Sequence, residues 1–440
     1  MLQTVVNAFK VKEIRKRILF TFFILVIARL GCQIPIPGTD STVIESVMSG
    51  ISTGAFSFLD AMTGSSFSTM SIFALNITTY ITASIIIQLL TIAIPRLEEM
   101  QKDGETGRKK IQKITRYLTI ILAVVEGLAY SIGFGNQGVF GDVSAMGTGQ
   151  YVWTIIVSVF VMTAGAVVCM WLGERITEKG IGNGISMILL FNIISGMPGT
   201  FYGLYRDFIA GKDMGPKILA IVIIAAVVIA VIVFIVYLQG GERRISVQYA
   251  KKVIGRKTMG GQNTHIPIKV NTSGVIPVIF ASSLLQFPPL IASFVSDNPG
   301  SWVNFFNSKY WVNPDYPIYS LGLIAYVLLV VFFAYFYTSI TFNPMEVANN
   351  MKKQGGFIPG IRPGKPTQDY ITTILNRIIF IGAIGLLIVA LIPIAVSGWF
   401  GASLSFGGTS IIIIVGVVVE TLKQVESMML VRNYKGFLND

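Results

Sequence analysis

Ile218-Leu-Ala-Ile-Val-Ile-Ile-Ala-Ala-Val-Val-Ile-Ala-Val-Ile-Val-Phe-Ile-Val-Tyr-Leu238 is a run of 21 residues without a charge, a glycine or a proline. At about 1.5 Å of rise per residue, such a run coiled as a helix spans a hydrocarbon core about 30 Å thick. A membrane β-barrel is excluded, because the period-2 alternation of barrel strands is missing and the run is apolar throughout. Comparable runs recur along the chain. Ten spans are read, at about 18–34, 71–94, 117–134, 152–172, 184–205, 217–238, 272–295, 318–340, 372–396 and 408–428.

Composition agrees with this reading. The 440 residues are 53% hydrophobic and 13% charged, whereas soluble α/β enzymes carry roughly a quarter charged residues. The basic start and the run from Ile18 lead into Pro35 and Pro37 without a small-residue cleavage site. The first span is therefore expected to stay in place rather than be removed as a signal peptide. Cys32 and Cys169 sit in or beside apolar runs, which argues against a disulfide framework or a metal site. No metal and no cofactor are expected.

The charges fall in alternate gaps between spans. Residues 1–17 carry five Lys and Arg, 95–116 seven, 173–183 two, 239–270 seven, 341–370 four and 421–440 three, which is 28 of the 34. Basic loops face the cytoplasm, so both termini and these gaps are expected there. The net charge of +12 reads as loop charge near an anionic leaflet or an anionic partner. An even span count split into five and five gives each half an odd number, so the halves, 1–205 and 206–440, take opposite orientations. That is the arithmetic of an inverted repeat around a central pathway.

Three segments break the pattern. Residues 51–70 are half apolar and half Gly, Ser and Thr, too short to span; such a piece is either a surface loop or a segment buried in protein at membrane depth. In residues 240–270 the alternation of Ile245, Val247 and Tyr249 predicts a hairpin projecting from the membrane. Residues 343–370 end in Gly355-Gly-Phe-Ile-Pro-Gly-Ile-Arg-Pro-Gly-Lys-Pro366, whose turn residues predict a shaped, exposed tip.

Enzyme signatures are nearly absent. His265, the single histidine, lies in a loop without a metal-protease context, and Ser186 has no histidine in any span to serve as its base. No Gly-rich phosphate loop with a trailing Lys-Ser or Lys-Thr occurs. Within the spans, Arg29, Glu126, Arg377 and Glu420 are ionisable; such groups mark either pathways or structural pairs. Ile77 and Ile81 fall one turn apart on one helix face, as do Ile185 and Leu189 after the Gly-rich start of the fifth span. Taken alone, these are helix-packing residues. A secondary transporter for a small anion or metabolite is the runner-up reading, but it requires a polar midplane site that the sequence does not display.

Several stretches together resemble the SecY family, the central subunit of the bacterial Sec protein-conducting channel. They are Ile34-Pro-Ile-Pro-Gly38, Ser71-Ile-Phe-Ala-Leu75, Tyr80-Ile-Thr-Ala-Ser-Ile-Ile-Ile-Gln-Leu-Leu90, Gly104-Glu-Thr-Gly-Arg108, Thr115-Arg-Tyr117 and Gly180-Ile-Gly-Asn-Gly-Ile-Ser186 in the first half. In the second half they are Lys269-Val-Asn271, Gly274-Val-Ile-Pro-Val-Ile-Phe-Ala-Ser-Ser283, Gly355-Gly-Phe-Ile-Pro-Gly-Ile-Arg-Pro-Gly364 and Gly407-Gly-Thr-Ser410. The resemblance implies an all-α polytopic membrane protein of ten transmembrane helices, two inverted five-helix halves around an hourglass pore, with a short plug half-helix near 57–68. It implies a pore ring of Ile77, Ile81, Ile185, Leu189, Ile279 and Ile413, and plug residues Phe58, Leu59, Met62 and Phe67. Thr82, Ile85, Ser283 and Phe287, the last two in a broken stretch before Pro288-Pro289, would lie in a lateral gate. Arg243, Arg244, Lys251, Lys252, Arg256, Lys257, Arg362 and Lys365 would dock a motor or the ribosome. Asn76 and Thr79 stand where the family usually has Gly and Pro, Ser246 where Pro is usual, and Ser65-Ser66 where plug glycines are common.

The implied function is a passive channel, not an enzyme, in the bacterial cytoplasmic membrane. It would pass unfolded secretory proteins and release membrane helices sideways into lipid. The implied partners are SecE-type and SecG-type small membrane subunits, the SecA motor ATPase, the ribosome through its RNA and proteins, signal sequences and nascent chains, and membrane lipids.

Overall fold

The computed structural model describes residues 9–40, 42–44, 46, 60–141, 147–208, 214–249, 252–254, 257–259, 263–295, 300–308, 310–312, 316–400 and 408–436. The expected plug residues Phe58 and Leu59 and the expected docking residues Lys251 and Arg256 lie outside the described residues. Twelve α-helices of eight or more residues are present among the described residues: α1 Lys12–Gly31, α2 Thr78–Ala93, α3 Pro95–Lys102, α4 Gly104–Asn136, α5 Thr148–Lys179, α6 Gly184–Phe208, α7 Met214–Gly240, α8 Ile276–Val295, α9 Ser320–Thr341, α10 Pro344–Lys353, α11 Lys365–Phe400 and α12 Gly408–Gly436. All but α3 and α10 overlap the ten expected spans, five in each half. By length and composition six of the described helices can cross a membrane, or seven if α2 and α3 count as one broken span. Helices α1 and α12 run charged residues inside their bounds, among them Arg15, Lys16 and Arg17 in α1 and Glu420 and Lys423 in α12.

Helix is the form these sequences must take, because a helix satisfies its own backbone hydrogen bonds where no water is at hand. Three differences from the sequence reading have local causes. The second span, expected from residue 71, becomes helical only at Thr78; the backbone at Asn76 is left-handed, with φ 46°, which no α-helix tolerates. The gap at 95–116 is not a loop. Ile94 is extended before Pro95, as the proline ring requires, and the chain turns by 103° into α3, which lies across the end of the bundle with Leu97 buried. The stretch expected to break before Pro288-Pro289 is instead a continuous helix. Two missing amide donors are outweighed there by the buried Val278, Phe280, Ala281, Leu285 and Ala292 along one helix. The division between halves at 205/206 falls inside α6, which continues to Phe208.

The segment between α7 and α8 forms a hairpin. Strand β1 Glu242–Tyr249 pairs antiparallel with β4 Asn263–Lys269, in register from Glu242 opposite Lys269 to Gln248 opposite Asn263. Its tip carries a smaller pair, β2 Lys252–Ile254 with β3 Lys257–Met259. Ile245 and Val247 point inward, as the alternation predicts, and join Ile268, Met351, Ile358, Ile371 and Leu375 in one cluster. The 343–370 segment packs into the same body. Asn343 caps α10 by accepting from the Met345 and Glu346 amides, and β5 Gly356–Phe357 pairs with the end of β1. The three-stranded order is therefore β4-β1-β5.

Helix packing in the first half is close. A Cβ on Gly165 of α5 would sit on the carbonyl oxygen of Ile72, so that residue must be glycine for α5 to reach the non-helical segment before α2. Gly149, at the start of the same helix, faces open space. Gly165→Ala is expected to destabilise the protein by about 1–3 kcal/mol through overpacking. Gly149→Ala should be neutral or stabilising, by up to about 1 kcal/mol. The thermal midpoints of the two variants in detergent check this contrast.

Candidate functional site

The six residues expected in a ring come from four helices, and the structure brings all six together. Ile77 precedes α2 and its carbonyl accepts from the Ile81 amide at 3.0 Å, so the two share one face. Asn183 caps α6, its side-chain oxygen accepting from the Ile185 amide at 3.1 Å, and Leu189 follows one turn later. Ile279 comes from α8 and Ile413 from α12. Ile77, Leu189, Ile279 and Ile413 are buried in one apolar cluster, and Ile81 and Ile185 pack against it. Helices α1 and α5 complete the cluster through Ile24, Leu25, Ala28, Leu172 and Ile176. Such a centre offers a solute nothing to bind. Placing a charge there would cost several kcal/mol.

Residues 60–77 cross the same depth without a long helix. Residues 60–63 make one helical turn, and the Pro35–Ser71 bridge fastens the segment to the chain after α1, with Ile36 donating to Met70 and Ile72 to Ile34, each at 2.9 Å. Met62 belongs to the central cluster with the six ring residues. Phe67 does not. It lies in a neighbouring cluster, edge-on to Tyr130 at 5.0 Å and beside Phe134 at 5.6 Å. The two described plug candidates therefore divide, one toward the ring and one wedged between α4 and the segment. The Ser66 hydroxyl donates to the carbonyls of Thr63 and Phe73, at 2.8 and 2.9 Å, and folds the segment on itself.

Of the four lateral-gate candidates, Thr82 turns its hydroxyl back to the Thr78 carbonyl at 3.1 Å. Ile85 packs against a cluster otherwise drawn from the second half, including Val278, Phe280, Leu285 and Ile412. Ser283 is half-buried on α8. Phe287 lies within α8, but its side chain is outside the described residues. Among the span charges, Arg377 and Glu420 are exposed. Glu126 is partly buried on α4 and accepts from the Thr79 hydroxyl at 2.7 Å.

Arg243, Arg244, Arg362 and Lys365 are exposed on the body formed by the two long loops. Arg244 is already forked onto Glu242, at 2.6 and 2.7 Å, which leaves Arg243 the freer cation of that strand. Lys252 and Lys257 lie in β2 and β3, with side chains outside the described residues. Thr367 donates to the Arg362 carbonyl at 2.8 Å and fixes the tip. Among the described residues no group of three or more His, Cys, Asp or Glu is placed to hold a metal ion. Sequence reasoning passed over Asn192, a lone polar residue in the apolar run of α6 that is 1% exposed and bonded to the 60–77 segment.

The SecY family profile matches residues 71–422. The chain belongs to the SecY family. It is 46% identical, over the full length of both chains, to the protein translocase subunit SecY of Streptomyces galbus. Among solved structures it is similar to one described as showing that the plug domain of SecY stabilises the closed state and maintains a membrane seal, with a TM-score of 0.65, 19% identity and coverage of 94% of this chain and 92% of that one. It is also similar to Sec61 in the canine ribosome–channel complex of the endoplasmic reticulum, with a TM-score of 0.63, 19% identity and the same coverage. At these identities the structures establish the fold, a multi-pass helical membrane protein.

Within this SecY-family chain, two departures from the usual residues keep a backbone that suits glycine. Asn76 has φ 46° and Ser65 φ 64°. Asn visits this region at modest cost, and its side-chain oxygen accepts from the Ile77 amide at 2.9 Å, starting α2. Thr79, in place of the usual Pro, retains its amide and supplies the hydroxyl that Glu126 uses. Thr79→Val keeps the shape and removes that donor, and should destabilise the protein by about 1–3 kcal/mol. In a Glu126→Leu background the same substitution should cost no more than about 0.5 kcal/mol. Unfolding midpoints of the four-member cycle measure the coupling.

Proposed function

We propose that this chain is the central subunit of a protein-conducting channel in the bacterial cytoplasmic membrane, passing unfolded secretory proteins across and releasing membrane helices sideways into lipid. The observation that carries the reading is the convergence of Ile77, Ile81, Ile185, Leu189, Ile279 and Ile413, with Met62 above them, in one apolar cluster where the halves meet. A constriction of branched apolar side chains excludes water and ions by dewetting and yields to a passing chain without binding it. That suits a pathway for every sequence, and it disfavours the small-solute transporter, which needs fixed polar contacts.

An apolar waist exerts no pull, so the channel is passive and partners supply the energy. The basic body of the two long loops, with Arg243, Arg244, Lys252, Lys257, Arg362 and Lys365, would face the cytoplasm with both termini and receive the SecA motor or the ribosome. Phosphates of ribosomal RNA suit such cations, and the contact would weaken with salt through counterion release. The canine relative described in complex with a ribosome supports this assignment. SecE-type and SecG-type subunits would clamp the halves. A signal sequence, itself an apolar helix, would enter between α2 and α8 past Thr82, Ile85, Ser283 and Phe287, with residues 57–68 acting as the plug.

The test is disulfide trapping of a stalled secretory chain bearing one cysteine against Ile81→Cys or Ile185→Cys, in a background lacking Cys32 and Cys169. Adducts at both positions, lost when the client clears the channel, are expected. No adduct with a chain in transit, together with uptake of a labelled small anion, would return the assignment to the transporter.

A further inference from the structure

The helical turn at residues 60–63 ends where the backbone becomes left-handed, at Gly64 (φ 68°) and Ser65 (φ 64°). A turn that ends this way leaves its last carbonyls without donors of its own. At membrane depth each of them needs a partner. Three side chains from three separate parts of the chain provide these partners. Asn192 of α6 donates through Nδ2 to the Met62 carbonyl at 3.1 Å. Asn76, ahead of α2, donates through Nδ2 to the Thr63 carbonyl at 3.2 Å. Arg29 of α1 donates through Nη1 to the Gly64 carbonyl at 2.5 Å. Thr63 also accepts from the Ser66 hydroxyl, but that bond lies within the segment and moves with it. Gly64 is closely enclosed: a Cβ there would lie 3.1 Å from both Arg29 Nη1 and the Asn192 Cα.

We propose that Arg29, Asn76 and Asn192 are positioning residues that latch the plug, by holding three consecutive carbonyls over the apolar ring. The proposal rests on the channel reading above. Apolar contact through Met62 is non-directional and lets the segment slide; three hydrogen bonds fix its register. All three donors belong to the first half, so the latch ties the segment to one side of the ring. A displaced plug also strands Asn76 and Asn192, each 1% exposed, in apolar surroundings. That cost favours reseating.

The two native cysteines provide a readout. Cys32 is 1% exposed beneath the latch, its Sγ 3.7 Å from Asn76 Nδ2, and Cys169 is fully buried in the same cluster. The experiment uses the full chain with its accompanying membrane subunits in lipid vesicles, comparing resting ion leak and maleimide labelling at the two thiols. Arg29→Met with Asn192→Leu should raise leak and Cys32 labelling about ten-fold or more, with Cys169 still protected. Arg29→Lys, which keeps a donor, should leak little more than the parent. Equal labelling of both thiols would mean that the bundle has loosened. Asn76→Gly, which suits the left-handed backbone while removing the donor, then decides by leak alone, and a parental leak there overturns the latch. Deletion of residues 60–68 separates the two readings. If the deletion leaks and the latch variants do not, the latch falls and the plug stands. If the deletion does not leak either, the plug reading falls and the latch with it.

Discussion

A backbone amide in hydrocarbon has no water to bond, and the architecture of this chain follows from that constraint. Ten of its helices meet the constraint along their length by internal hydrogen bonding. Residues 60–77 do not, and they are held because every neighbour contributes something. The chain after α1 pairs with the segment through Ile34 and Ile36, Ser66 bridges it internally, and Arg29, Asn76 and Asn192 reach its carbonyls. Non-helical backbone at this depth can exist only where protein encloses it. Its presence therefore implies the enclosure, which the first half supplies, with Met62 and Ile77 meeting Ile279 and Ile413 of the second.

The same constraint explains why the two kinds of residue in the site are so unlike. The proposed waist is made of Ile and Leu, whose mutual contact has no direction and can be broken and remade with other apolar partners. The segment above it is held by hydrogen bonds, which have direction and specify one position. A seal needs the first property and a resting state the second. The long loops add a third element. By pairing with the end of β1, β5 makes the 343–370 segment part of the same body as the hairpin. The 343–370 segment is thus joined through a sheet and the cluster beneath it to α9 and α11.

What could be read in the sequence was local. The spans follow from apolar composition over about 20 residues, the pairing of Ile77 with Ile81 from helical spacing, and the inward face of β1 from the alternation of Ile245 and Val247. What could not be read depends on distant partners. Nothing around Phe357 announces that it lies opposite Gln248. Nothing in Leu190-Phe-Asn192-Ile-Ile194 says that the asparagine faces a carbonyl rather than another helix. Met62 and Phe67 are five residues apart and look alike in sequence, but the left-handed turn at Gly64 and Ser65 sends them to different clusters. That turn is itself partly obscured, because Ser65 occupies a position where the family commonly shows a glycine. The continuous helix through Pro288 and Pro289 is a further case in which packing overrides a strong local signal.

The seam between the halves shows how such a molecule can open without unfolding. Each half retains an apolar cluster of its own: Leu75, Phe134 and Met162 with their neighbours in the first, Ile235, Val330 and Leu386 with theirs in the second. Between them lie the ring, the packing of Ile85 against the second half, and at one end of the bundle the contact of Ile14 and Ile181 with Val425, beside the bond from the Gly182 amide to Gln424 at 2.8 Å. In the proposed channel, parting the ring exposes the seam residues and leaves both flanking clusters intact, so the cost is confined to contacts that a passing apolar helix can replace. The contact of Ile14 and Ile181 with Val425, with the Gly182 amide bonded to Gln424, joins the halves outside the ring.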